Sequence, residues 1–307
     1  MRWCTVRVQG QTAAGLVHDE HVYTRHEPNL LSLLETEPDL SSFIPETLAH
    51  PADRIPFEMV TYAAPVPRPP SIRDFMAYEE HPTNIRRALG LTLPAEWYEY
   101  PAFYFTNPGS SQGPDEPVRR TPGSRQFDME IELAAVIGRK GRDISAAEAA
   151  DHIAGFMLMC DWSARDIQQK ERTLGLGLSK AKDSAMTFGP WLLTPDELPG
   201  WSGTGRPDVE VTASINGRTV TTSSFEPMHW TFAQMIAHAS LGADLHPGDV
   251  IGSGTVGRGC IWELRSLPDT KGTAWLEPGD IVRIAAPGLG RIGVEITPPS
   301  FEPADGV

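Results

Sequence analysis

Residues 127–138 read Phe-Asp-Met-Glu-Ile-Glu-Leu-Ala-Ala-Val-Ile-Gly. Successive side chains on a β-strand point to opposite faces. Asp128, Glu130 and Glu132 would therefore share one face, while Met129 and Ile131 turn to the other. An exposed acidic strand face would look much the same, but the continuation Leu-Ala-Ala-Val-Ile is core sequence. Carboxylates crowded near a core repel and raise one another's pKa unless a cation or basic groups offset them. Clusters rich in oxygen suit Mg²⁺, Mn²⁺ or Ca²⁺ rather than zinc.

Working outward, Gly155–Asp161 is an apolar run and reads as a second buried strand. It ends in Asp161-Trp-Ser-Ala-Arg165-Asp166-Ile-Gln168, a charged cluster at a strand end, where many folds put their chemistry; a charged loop opening a helix with Asp161 as N-cap is the common alternative. Residues 208–222 alternate around Asn216-Gly217, the preferred two-residue hairpin turn. Pro-Gly-Asp turns at 247–249 and 278–280 each precede an apolar strand. Helices are expected at 81–90, from the capping pattern Ser145-Ala-Ala-Glu148 to about 154, and from Trp230 to Leu241. Residues 1–65 look like a small unit: alternation at 3–8 and 14–23, then a helix capped by Asn29. The segment 64–70 holds four prolines in seven residues and reads as a linker. The expected organisation is a small N-terminal domain, 1–65, and a larger domain, 66–307. The expected class is mainly β, of the α+β kind.

Composition sets the outer limits. The chain has 307 residues, 40% hydrophobic and 21% charged, enough apolar content for a sizeable core. Gly and Pro number 28 each, which argues against a helix bundle. The formal net charge of −14 is the wrong sign for a nucleic-acid binder. Three scattered cysteines, Cys4, Cys160 and Cys260, make neither a disulfide framework nor a paired-cysteine zinc site. No signal peptide, anchor or membrane-spanning run is seen, so a reduced cytoplasmic compartment is expected.

Gly252-Ser-Gly254-Thr-Val-Gly257 has the glycine spacing of a dinucleotide loop. The following Cys260-Ile-Trp-Glu-Leu reads as strand, whereas that loop must open a helix. Asp74-Phe-Met-Ala-Tyr78-Glu79-Glu80-His81 places an aspartate and a histidine seven residues apart, which by itself proves nothing.

Together these segments resemble the fumarylacetoacetate hydrolase family from about Asp74 to Glu295. The strongest pieces are 128–138 with Gly141-Arg-Asp143, then 155–168, 247–255 and 276–290. The resemblance implies a β-roll of mixed sheets with a small N-terminal domain, usually dimeric. It implies one divalent cation, Mg²⁺ or Mn²⁺ with Ca²⁺ also suited, held by Asp74, Glu130, Glu132 and Asp161. It implies His81 as general base, Glu263 as the acid orienting it, and Arg165, Gln168, Lys182 and Thr255 on the substrate's oxygens, with Lys182 also catalytic. Met76 and Arg172 stand where the namesake hydrolase has tyrosines, and Gly90 where it has a substrate-binding arginine. The implied partner is a small 2-oxo or diketo acid, with no nucleic acid and no membrane. The implied activity is hydrolysis of a carbon–carbon bond in an acylpyruvate or related 1,3-diketo acid. Oxaloacetate-type decarboxylation, 2-keto-pentenoate hydration and tautomerisation are the alternatives on the same scaffold.

Overall fold

The computed structural model describes residues 1–302 except Leu176, Thr204 and Gly205. Its centre is a pair of fully buried antiparallel strands, Ile131–Ile137 and Ile153–Asp161. They are buried because both faces are covered. Ile131, Leu133 and Ala135 pack into one hydrophobic core, with Phe156, Leu158 and Cys160 beside them. Ala134 and Val136 pack into another, with Met157 and Met159. The near-continuous apolar sequence follows from that double coverage.

Val250–Gly252 pairs antiparallel with Ile131–Ile137 and parallel with Ile72–Phe75, which pairs antiparallel with Phe103–Thr106. On the other side, Arg2–Val8 joins the sheet by pairing with Leu192–Leu193, and Gln11–His18, His21–Thr24 and Arg54–Pro56 follow in order. Among the described residues this sheet has 13 strands of mixed direction. A five-stranded sheet closes over the first core, running Arg218–Ser224, Glu210–Ile215, Ile281–Ala286, Gly290–Thr297 and Val118–Arg119. The Asn216-Gly217 hairpin forms as expected, with φ of 53° and 79° at its two turn residues.

Four local expectations are corrected. The 127–138 run is not one strand: Phe127–Asp128 pairs with Ser163–Ala164, Glu130 bridges to Cys260, and the ladder resumes at Ile131. The 14–23 alternation is cut by a turn at Asp19-Glu20, both with positive φ. Ser145 and Glu148 do bond side chain to side chain, but only a short 3₁₀ turn, Ala149–His152, follows before the chain enters the buried strand at Ile153. Residues 260–264 are not strand but the start of a helix, Ile261–Ser266. Its first amides are taken by Asp128, whose carboxylate accepts from Ile261 N at 2.6 Å and Trp262 N at 3.1 Å. The glycine loop therefore leads to a helix whose N-terminus is already filled by a carboxylate.

Candidate active site

Three carboxylates reach one point because of strand parity. Glu132 falls in step with Ala134 and Val136, Asp161 with Met157 and Met159, and Asp74 with Ile72, all facing the same side. Asp74 lies opposite Gly252 in the register. A Cβ there would stand 2.8 Å from Asp74 Oδ1 and 2.4 Å from Met159 Cε, so the glycine makes the room. Asp74, Glu132 and Asp161 each bring an oxygen to within 4.8 Å of the others. All three residues are buried, and one oxygen of each, Asp74 Oδ1, Glu132 Oε1 and Asp161 Oδ1, has no hydrogen-bond partner. Burial raises the pKa of all three, and mutual repulsion adds to it for Glu132; Asp161 is pushed up to about 7. Orphaned, mutually repelling buried oxygens fit a hard divalent cation, which would satisfy both deficits.

The surrounding groups are basic. Lys182, from the turn Lys180–Lys182, donates to Asp161 Oδ2 at 2.6 Å and also to Glu130 Oε2. Burial opposes the lysine's charge, but Asp161 and Glu130 outweigh it and raise the pKa. Glu130 also accepts from Arg165 Nη2 at 2.7 Å and Ser163 Oγ at 3.3 Å. Burial would push the Glu130 pKa up, yet Arg165, Lys182 and His81 hold it well below the usual carboxylate range. Glu130 is thus the ionised member beside the trio, paired in this structure with Arg165 and Lys182. Asp128 lies apart from the trio, bonded to Arg165 Nε at 2.8 Å.

His81 sits in the first turn of the helix Glu80–Ala88. Its Nδ1 is 3.0 Å from Glu263 Oε2. The other oxygen of Glu263 accepts from Asn84 Nδ2 at 2.6 Å and Arg258 N at 2.7 Å. Glu263 is fully buried and fixed on both oxygens. Such a carboxylate holds the proton on Nδ1 and leaves Nε2 as an acceptor. Nε2 lies 3.6 Å from Glu130 Oε1.

One cavity of about 410 Å³ gathers these groups. Asp74, His81, Glu130, Glu132, Arg165, Gln168, Lys182 and Thr255 line it; Asp161 and Glu263 stand behind. Gln168 accepts from Arg165 Nη1 at 3.1 Å. The ten residues for which a metal, catalytic or substrate role is expected are therefore in or directly behind one cavity, whereas Asp128 and Gly90 are not. Two were missed. The Tyr104 hydroxyl is 2.7 Å from Asp74 Oδ2 and also meets Asp161 Oδ2. Asn84, three residues after His81, clamps Glu263; helical i, i+3 spacing could have found it, whereas nothing local marks Tyr104.

Residues 71–297 match the family model described as fumarylacetoacetate (FAA) hydrolase, C-terminal. The chain is 35% identical over 215 residues to a fumarylacetoacetase of Arabidopsis thaliana, covering 57% of this chain and 50% of that one. It is 32% identical over 202 residues to a human mitochondrial oxaloacetate tautomerase, covering 66% and 60%. The chain spans about half the length of the fumarylacetoacetases it matches. The fold resembles that of a maleylpyruvate hydrolase from Sphingobium sp. SYK-6, solved with manganese(II) and pyruvate. There the TM-score is 0.71 and the identity 22%, over 98% of this chain and 100% of that one.

Proposed function

The chain belongs to the fumarylacetoacetate hydrolase family, and on that premise we propose that it is a divalent-metal-dependent hydrolase. Its bond is the carbon–carbon bond of an acylpyruvate or a related 1,3-diketo acid. The observation that carries this reading is the union, at and directly behind one cavity, of three buried carboxylates with orphaned oxygens and an oriented histidine.

Asp74, Glu132 and Asp161 would hold Mg²⁺ or Mn²⁺, with Glu130 as a fourth carboxylate; Mn²⁺ accompanies pyruvate in the Sphingobium hydrolase. When bound, the cation supplies a positive charge that polarises the substrate's carbonyl oxygens and favours departure of an enolate. The chain's own groups do the rest. His81 Nε2 takes a proton from water, and Glu263 holds the proton on Nδ1 and stabilises the charged ring. The water oxygen attacks the carbonyl carbon, and the carbon–carbon bond breaks with its electron pair on the enolate side. Lys182 and Arg165 keep positive charge beside the oxygens that become negative. Gln168 and Thr255 offer polar contacts at the cavity wall. A homodimer, a cytoplasmic setting and a division into 1–65 and 66–307 complete the reading.

The test is turnover of an acylpyruvate panel, with oxaloacetate, in Mg²⁺ or Mn²⁺, with products read by mass. Two organic fragments are expected. Release of CO₂, gain of one water without cleavage, or an unchanged mass would replace hydrolysis by decarboxylation, hydration or tautomerisation. The human tautomerase relative makes the last of these the strongest rival.

A further inference from the structure

Behind His81 stands a second group of metal-binding atoms, of a different kind from the carboxylate trio. His81 Nδ1, Cys260 Sγ and a carboxylate oxygen of Glu263 lie within 4.8 Å of one another, and all three residues are buried. Nδ1 is 3.0 Å from Glu263 Oε2 and 3.8 Å from the sulfur. Tetrahedral zinc, at about 2.3 Å from sulfur and about 2.0 Å from nitrogen or oxygen, sets its ligands about 3.3–3.6 Å apart. Both measured edges are within a few tenths of an ångström of that spacing. Two helices hold the group. Cys260 caps Ile261–Ser266, its sulfur accepting from Glu263 N at 3.4 Å, and Glu263 sits in the first turn. Asn84 and Arg258 N hold the other oxygen of Glu263 and leave Oε2 for His81. His81 comes from the facing helix Glu80–Ala88 and also lines the cavity, which gives an ion its way in. The trio offers oxygen alone, whereas this group offers nitrogen, sulfur and oxygen. Softness therefore sorts the two: Mg²⁺ and Mn²⁺ suit the trio, Zn²⁺ and Cd²⁺ the site with the sulfur.

We propose that His81, Cys260 and Glu263 form an inhibitory site for a soft divalent cation, Zn²⁺ or Cd²⁺. On binding, the thiol proton leaves to solvent. The imidazole proton passes from Nδ1, whose lone pair goes to the metal, to Nε2. Nε2 then donates and can no longer take a proton from water. The inhibition rests on the reading of His81 as general base; the binding itself does not.

The test adds Cd²⁺, and separately Zn²⁺, to the full chain saturated with Mn²⁺. It reads the ultraviolet thiolate-to-cadmium absorption, the Mn²⁺ content and the turnover of an acylpyruvate. Stoichiometric Cd²⁺ should raise the absorption and abolish turnover while Mn²⁺ is retained. Cys260→Ser keeps an oxygen to cap Glu263 N. There the absorption should vanish, and inhibition, taken against each protein's own activity, should weaken by at least about 100-fold; losing a mere hydrogen-bonding neighbour of a metal ligand already costs about 10- to 100-fold. His81→Ala, read by absorption alone, should weaken Cd²⁺ binding likewise. A wild type without the absorption, equal inhibition in Cys260→Ser, or inhibition that follows release of Mn²⁺ overturns the site. Absorption lost in Cys260→Ser, in a protein that turns over no acylpyruvate even before the ion is added, supports the site and sinks the hydrolase reading instead.

Discussion

His81 carries more of the proposed chemistry than any other side chain, and its surroundings explain why. Glu263 sits on Nδ1, and Asn84 and Arg258 N immobilise Glu263, so the ring's Nε2 is aimed by buried groups. Replacing the base should slow chemistry without touching the carboxylate trio. His81→Ala is expected to lower kcat by roughly 10²–10⁴-fold while Mn²⁺ content, read by elemental analysis, stays at the wild-type level. A kcat near that of the wild type would assign the base elsewhere. The roles proposed for His81 and Glu263 rest, at the level of sequence, only on their place among ordered motifs. Tyr104 was not legible at all. It meets Asp74 because the two are direct partners across neighbouring strands, a pairing no local pattern announces.

The elements show where one-dimensional reading succeeds and where it stops. Buried strands such as Ile153–Asp161 and the Asn216-Gly217 hairpin announce themselves by apolar content and turn chemistry. The break at Met129-Glu130 does not, because partners distant in sequence, Ser163–Ala164 and Cys260, dictate it. Residues 260–264 were misread as strand because β-like composition yields to tertiary context: Asp128 caps the helix from far along the chain. The glycine run has a use other than phosphate binding. Gly254 has φ 78°, its N–H donates to Glu132 Oε2 at 3.0 Å, and a Cβ there would lie 2.2 Å from Phe75 O. Gly254→Ala must move backbone beside both Asp74 and Glu132. It is expected to cost about 1–3 kcal/mol of stability, measured by denaturant unfolding, and to weaken Mn²⁺ binding as well. Unchanged stability and metal affinity would contradict the tight packing assigned to this turn.

At the scale of the molecule, the net charge of −14 acquires a focus. Asp74, Glu132 and Asp161 are separated by up to 87 residues in sequence and meet only because the sheet sets three strands in one parity. Holding them together without a cation has a pH signature. Their folded pKa values are raised, Asp161 to about 7, so the metal-free folded state binds more protons than the unfolded chain. Stability then falls as pH rises from about 4 through about 7. Glu130, held low by its cations, acts below that window. Thermal melts in chelator should show this decline, and saturating Mn²⁺ should flatten it; a metal-free protein more stable at pH 8 than at pH 5 would contradict the cluster's burial. The most direct measurement is calorimetric titration of the metal-free chain with Mn²⁺, beside Glu132→Gln and Asp161→Asn. One site in the wild type, lost in both variants while their folds persist by circular dichroism, is the expected result. Full binding by either variant would contradict the assignment of this buried trio as the metal centre.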